Sequence, residues 1–157
     1  MRFPWLLLLA MASTLAAGCD SKSTPAPSTT TTTTTTTTTP PTAVVAVTYT
    51  PNPATWSAGP GTSAACTTSA NIWKFTYTFR ESAGTAATLT SVTPTTDGVA
   101  QSAVSLNISV PASGSANVAA EICFPTSSQH TLQQVFSGTD SNGRAITFNG
   151  SVTFAAR

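Results

Sequence analysis

Between residues 43 and 154, apolar and polar side chains alternate with a period of two, the period of a strand with one buried face. The clearest stretch is 72–80. Trp73, Phe75, Tyr77 and Phe79 share one parity, and Lys74, Thr76, Thr78 and Arg80 share the other. A helix would scatter the four rings around its circumference. The alternation therefore predicts a strand, with the rings as core packing rather than as a platform for stacking carbohydrate. Residues 43–50 are β-rich and stop at Pro51-Asn52-Pro53, which mark an edge strand or a strand end. A weaker strand over 87–93 is ended by Pro94. Val104, Leu106, Ile108 and Val110 form the next inward set, followed by a turn from Pro111 to Ser115. Val118, Ala120, Ile122 and Phe124 form another, ended by Pro125.

The last hairpin can be read in register. Asn142-Gly143 and Asn149-Gly150 compete for its turn. A two-residue turn at the second would put Phe148 opposite Ser151 and mix apolar with polar residues on one face, which excludes it. A three-residue loop at Ser141-Asn142-Gly143 sets Phe136 against Phe148, Leu132 against Val152 and Asp140 against Arg144. It also gives glycine the left-handed position such loops favour. Gln134 then faces Gly150, where a bulge is expected. Seven strand candidates, short loops and no helical pattern predict an all-β antiparallel sandwich of about seven strands. The order of elements over roughly 44–154 resembles bacterial immunoglobulin-like domains, which implies an Ig-like sandwich with contact residues on its loops. The antibody arrangement is absent, because Trp73 lies on the second strand.

Upstream of residue 43 the pattern differs. Met1-Arg2 is a short positive start, and residues 3–17 are an uncharged apolar run. The run falls short of the ~20 residues needed to cross a bilayer, but it suits the core of a signal peptide. It ends in Leu15-Ala16-Ala17-Gly18-Cys19, which resembles the bacterial lipobox, with Leu15 one place earlier than the usual leucine. The resemblance implies cleavage before Cys19, with a diacylglyceryl group and an acyl chain such as palmitate on that cysteine. The partner implied is a membrane of the bacterial cell envelope. Asp20 resembles the signal that keeps enteric lipoproteins in the inner membrane, though the inner-versus-outer choice stays open. Residues 20–42 contain a threonine run, 29–39, between Pro-Ala-Pro and Pro-Pro. This segment carries too little apolar surface to offset its conformational entropy. A disordered, extended spacer is expected, either unmodified or O-glycosylated. The expected organisation is a signal peptide over 1–18, a lipid-anchored linker over 19–42 and the sandwich over 43–157.

Charge then narrows the function. Charged residues make up 7% of the 157 positions and the net charge is +1. No basic stripe offers the phosphate neutralisation nucleic acid needs, and no acidic cluster suggests a calcium cage. Beyond Cys19 the chain holds one histidine and two cysteines, Cys66 and Cys123. No metal site or cofactor is expected. In an oxidising compartment the two cysteines read as a disulfide, worth about 4 kcal/mol in the chain-entropy model. Cys123 has the opposite parity to Ile122 and Phe124, so the bond should lie at the periphery and tie a loop to the outer side of a strand.

Little catalytic chemistry is legible. His130 opens a strand near Phe154 and reads as a half-buried strand-end residue. A Ser-His-Asp set can be written from His130, any serine, and Asp97 or Asp140, but serines are too abundant for that to carry weight and no nucleophile-elbow motif supports it. Glu81 and Glu121 read as surface charges. Trp56, in a Pro/Gly-rich loop, is expected to plug one end of the sandwich, the alternative being an exposed contact residue. Asn107-Ile-Ser and Asn149-Gly-Ser match glycosylation sequons by chance. The expectation is a non-enzymatic envelope lipoprotein that contacts a protein or glycan, the alternative being a spacer without a ligand. Cys19→Ser should release the protein from the membrane fraction or leave it unprocessed. Normal cleavage and membrane fractionation of that variant would refute the lipid anchor.

Overall fold

A computed structural model describes residues 39–58 and 60–157. The signal peptide, Cys19 and the linker up to residue 38 lie outside the described residues. Eight strands follow one another: β1 Val45–Thr50, β2 Ile72–Glu81, β3 Ala87–Thr96, β4 Val99–Ala100, β5 Ser-rich Val104–Val110, β6 Ser115–Cys123, β7 His130–Asp140 and β8 Ala145–Phe154. They form two antiparallel sheets, one of order β1-β2-β6 and one of order β4-β3-β7-β8, with β5 also paired to β3. The expected all-β sandwich is therefore what forms, with one short strand more than the sequence pattern showed.

The aromatic strand is central to the three-stranded sheet, and its rings do face inward. Trp73 and Phe79 are fully buried and Phe75 nearly so. Phe79 meets Phe136 of the opposite sheet edge-on, with ring centroids 5.2 Å apart. Two apolar clusters stack along the sandwich. One is built around Phe79, Leu89 and Phe136, the other around Trp73, Phe124 and Phe154, and Val47 and Tyr77 pack against both. Between them lies a small polar bridge. The Tyr49 hydroxyl donates to Gln134 Oε1 at 3.1 Å, and Gln134 Nε2 donates to the Tyr77 hydroxyl at 3.0 Å. Gln134 is the one polar residue of β7's inward row in mid-strand, and the bridge satisfies its buried amide on both sides.

The final hairpin has the expected register throughout, from His130 opposite Phe154 to Phe136 opposite Phe148. Gly143 has φ of 77°, the left-handed conformation its loop requires. The bulge expected at Gly150 is absent, because pairing runs unshifted past it. The glycine serves close packing instead: a β-carbon there would collide with the Tyr49 hydroxyl and with Val47.

Two other expectations need correction. β3 does not stop at Pro94 but continues to Thr96 and turns at Asp97-Gly98 into β4. Proline is tolerated there because it falls where β3 passes from β5 to β4, after the Val92–Val104 rung and before Thr95–Ala100, and its carbonyl still accepts the Gln101 N–H at 2.9 Å. The inward row of β5 is also less covered than expected: Val110 is fully buried, whereas Val104 is 52% exposed. β5 extends the larger sheet beyond the three strands facing it, so the cover is lost along its length.

Gly150→Ala would force a methyl group into the space of the Tyr49 hydroxyl. The expected cost is about 1–3 kcal/mol of stability, the range for overpacking a filled core. Chemical denaturation checks it; an unchanged midpoint would mean that Tyr49 has room to withdraw.

Candidate functional site

The sandwich has two unlike poles. At one, the chain enters at Ala43–Val44, and the turns between β2 and β3, β5 and β6, and β7 and β8 are short. At the other lie the segment between β1 and β2, the turn after β3, the link between β6 and β7, and the last residues of the chain. The residues singled out from the sequence mostly collect at this second, far pole.

The entry pole is closed by two acidic side chains. Glu81, expected on the surface, is 1% exposed. Its carboxylate accepts five backbone N–H bonds, from Val44 at 3.1 Å, Ala83 at 2.7 Å, Gly84 at 2.9 Å, Thr85 at 3.2 Å and Ser113 at 2.8 Å. Burial pushes its pKa up, but the N–H donors outweigh that and bring it down to about 2. The correction was available in the sequence, since Glu81 has the same parity as Trp73 and Phe79 and points inward with them. Asp140 does the same on β7. It accepts from the N–H groups of Asn142 and Arg144 at 2.8 and 2.9 Å and from Ala43 at 3.4 Å.

At the far pole, Cys66 and Cys123 form the expected disulfide, with α-carbons 5.6 Å apart. The bond fastens the long β1–β2 segment to the end of β6. Glu121 supports the same segment and is not a free surface charge. It accepts N–H bonds from Thr62 at 2.9 Å and Ser63 at 3.0 Å, as well as both their hydroxyls. The two N–H donors are the main reason its pKa falls to about 2. Lys74 reaches the same carboxylate at 3.7 Å with its own side chain 46% exposed. Between the pinned segment and the outer face of β2 and β6 runs an open groove of about 550 Å³, lined by Thr50, Thr62, Ser63, Lys74 and Glu121 over a floor of Thr76 and Ala119.

Trp56 partly plugs this pole, as expected. Its indole N–H donates to the Ala70 carbonyl at 3.3 Å, and the Arg157 guanidinium lies 4.1 Å from its ring centroid. Next to it His130 is held in a way that residue spacing alone does not show. His130 is 9% exposed. Its ring stacks on Phe124 at 4.0 Å between centroids and meets Trp73 edge-on. Its Nδ1 lies 2.6 Å from Asp97 Oδ2, and its Nε2 lies 3.0 Å from the Thr126 hydroxyl and 3.4 Å from that of Ser128. A carboxylate, an imidazole and a hydroxyl thus form a continuous chain, where the sequence reading set such a combination aside as coincidence. Asp97 reaches this place because Asp97-Gly98 is a turn with both φ positive, 48° and 82°. Its other oxygen accepts the Thr131 N–H at 2.8 Å. The bond to His130, with that N–H, holds its pKa below the usual value. The Asp-Gly pair was the legible signal, hidden by the early stop assigned at Pro94. Asp140 lies at the other pole and takes no part. Among the described residues no group of three or more His, Cys, Asp or Glu is placed to hold a metal ion.

No family model matches the chain, and no curated protein matches it. Among solved structures the chain is similar to the X-ray structure of Northeast Structural Genomics Consortium target SoR45. The identity is 12%, the TM-score is 0.50, and the alignment covers 73% of this chain and 87% of that one. At that identity the likeness is one of fold.

Glu81 and Glu121 both have lower pKa values folded than the ordinary 4.5. The folded state therefore binds fewer protons through this range, and their contribution is complete above pH 4.5 and lost as pH falls toward 2. The melting temperature should be level from neutral pH to about 5 and then drop steeply. Glu81→Gln should lower it at neutral pH and flatten the acid slope. An acid slope identical to that of the unsubstituted protein would mean that Glu81 does not carry the effect.

Proposed function

We propose that this chain is an exported lipoprotein of a bacterial envelope, anchored by lipid on Cys19. In this reading residues 20–42 are a spacer and an immunoglobulin-like domain presents its far pole to a protein or glycan. The observation that carries the reading is the asymmetry of the poles. The chain enters at the pole with short, carboxylate-stapled turns, so the longer segments lie at the pole opposite that entry. Those segments are held before any partner arrives, by the Cys66–Cys123 bond, by Glu121 and by the Asp97–His130 contact. Pre-ordered loops lose little entropy on binding, which suits them to recognition.

The strand order supports the Ig-like part. In that reading β1, β2 and β6 would correspond to strands A, B and E, and β3, β7 and β8 to C, F and G, with β5 joining the C side. Ala54, just after β1, forms a parallel bridge to Phe154 on β8, so the first strand's continuation touches the second sheet. A disulfide fits an exported protein. The domain has four basic side chains (Lys74, Arg80, Arg144 and Arg157) and four acidic ones (Glu81, Asp97, Glu121 and Asp140). It is therefore close to neutral, which favours hydrogen-bonded over electrostatically steered recognition.

Photo-crosslinking in living cells tests the reading. A photoreactive residue at Lys74 or Gln101 on the far pole should trap an envelope component, and one at Ser82 or Asn142 on the entry pole should not. Replacing both Cys66 and Cys123 by serine should loosen the far pole and weaken the crosslink. Crosslinks from the entry pole alone would overturn the assignment of the contact surface. A correctly anchored protein that crosslinks from neither pole would favour the spacer role.

A further inference from the structure

The chain Asp97–His130–Thr126 is more than a strand-end clamp requires. Fastening the β3–β4 turn to β7 needs only the bonds between Asp97 and Thr131, which run both ways: the Asp97 N–H donates to the Thr131 carbonyl at 2.9 Å, and the Thr131 N–H donates to Asp97 Oδ1 at 2.8 Å. The second carboxylate oxygen is spent on His130 Nδ1. A carboxylate only accepts, so Nδ1 is the donor in this bond, and Nε2 is the nitrogen that can accept from a hydroxyl when the ring is neutral. The ring cannot turn away, since it is stacked on Phe124 and faces Trp73 edge-on. Nε2 therefore has a fixed aim, and what it meets is the Thr126 hydroxyl at 3.0 Å. The Ser128 hydroxyl lies 2.7 Å from the Thr126 hydroxyl. With Thr126 donating to the imidazole, Ser128 can donate to Thr126, where it would stabilise negative charge growing on that oxygen. Both hydroxyls are exposed.

We propose that Thr126 is an acyl-accepting nucleophile, with His130 as its general base, Asp97 as the residue that positions the base, and activated esters as the class of acyl donor. Thr126 Oγ1 attacks the ester carbonyl carbon and forms a new C–O bond, while its proton passes to Nε2. The bond to the leaving oxygen breaks, and that oxygen takes the proton back from Nε2. The products are an acylated Thr126, a free alcohol and the original neutral imidazole, with Asp97 bonded to Nδ1 throughout. Thr126 is exposed, so the chemistry fits covalent capture of a group better than rapid turnover. This site goes beyond the recognition reading and does not depend on it.

The test uses the full-length protein, p-nitrophenyl acetate as acyl donor, and mass mapping of the acetylated peptides. Thr126 should be acetylated on the order of a hundredfold faster than the exposed Ser141 at the opposite pole, the gain expected from a positioned general base. Thr126→Val should abolish the adduct without lowering the melting temperature. Thr126→Ser should retain it, and His130→Gln and Asp97→Asn should each reduce it more than tenfold. If His130→Gln unfolds the pole, Thr126→Val and Thr126→Ser still decide the question. Acetylation of Thr126 no faster than that of Ser141, or a rate unaffected by the Asp97 and His130 substitutions, would leave the cluster a structural clamp and overturn the proposal.

Discussion

Everything in this domain hangs on acidic side chains used as acceptors for backbone N–H groups. The chain has five acidic residues, and the four inside the domain all serve in this way. Glu81 and Asp140 do so at the entry pole, and Glu121 and Asp97 at the far pole. Strand ends and turns leave N–H groups without ladder partners, and burying them unpaired is costly. A carboxylate can accept several at once and binds them more strongly than a neutral oxygen. Glu81 is the extreme case, drawing the incoming chain and two turns onto one side chain. Removing it would orphan N–H groups from three segments together, so these are not three separate weak contacts.

The scarcity of charge elsewhere follows the same logic. The outer faces of the strands are covered mainly by threonine, serine and asparagine, which solvate a strand without competing ion pairs. The interior can then be aromatic from end to end, with one polar interruption. Gln134 sits where two apolar clusters meet, and its amide is satisfied by Tyr49 and Tyr77 from the facing sheet. A buried amide that fits one partner geometry fixes the register between the sheets in a way that apolar packing does not. Gly150 belongs to that fit, because it gives Tyr49 the room to reach across.

Parity made most of the fold legible. The strand rhythm, the inward rings of β2, the whole register of the last hairpin and the peripheral placement of the disulfide are readable from residue spacing, and the disulfide itself from the cysteine count in a chain expected to be exported. Three of the departures are instructive. Glu81 shared the inward parity of its strand but was read by its charge, and the general rule that glutamate is exposed outweighed the local pattern. Pro94 was read as a stop, although a proline is harmless where a strand changes partners. The Asp97–His130 pairing joins residues 33 positions apart through a turn hidden by that stop, and no local spacing encodes it. The sequence could show that the ingredients existed; only the chain path could show which serine or threonine the histidine meets.

The far pole illustrates how a domain with little surface charge can still hold a defined chemical arrangement. Its β1–β2 segment is long, rich in small residues and without a strand ladder, and such a segment alone would be mobile. It is fixed at Cys66 by a covalent bond, at Thr62 and Ser63 by Glu121, and at Trp56 by contact with Trp73, Ala70 and Arg157. The β6–β7 link has its own tie, since the Arg157 N–H donates to the Ser127 carbonyl at 2.9 Å. The cation on Trp56 and the loop carrying Thr126 and Ser128 are therefore joined through the last residue of the chain. The Trp56 plug and the hydroxyls beside His130 thus share one support, and a change at Arg157 would loosen both.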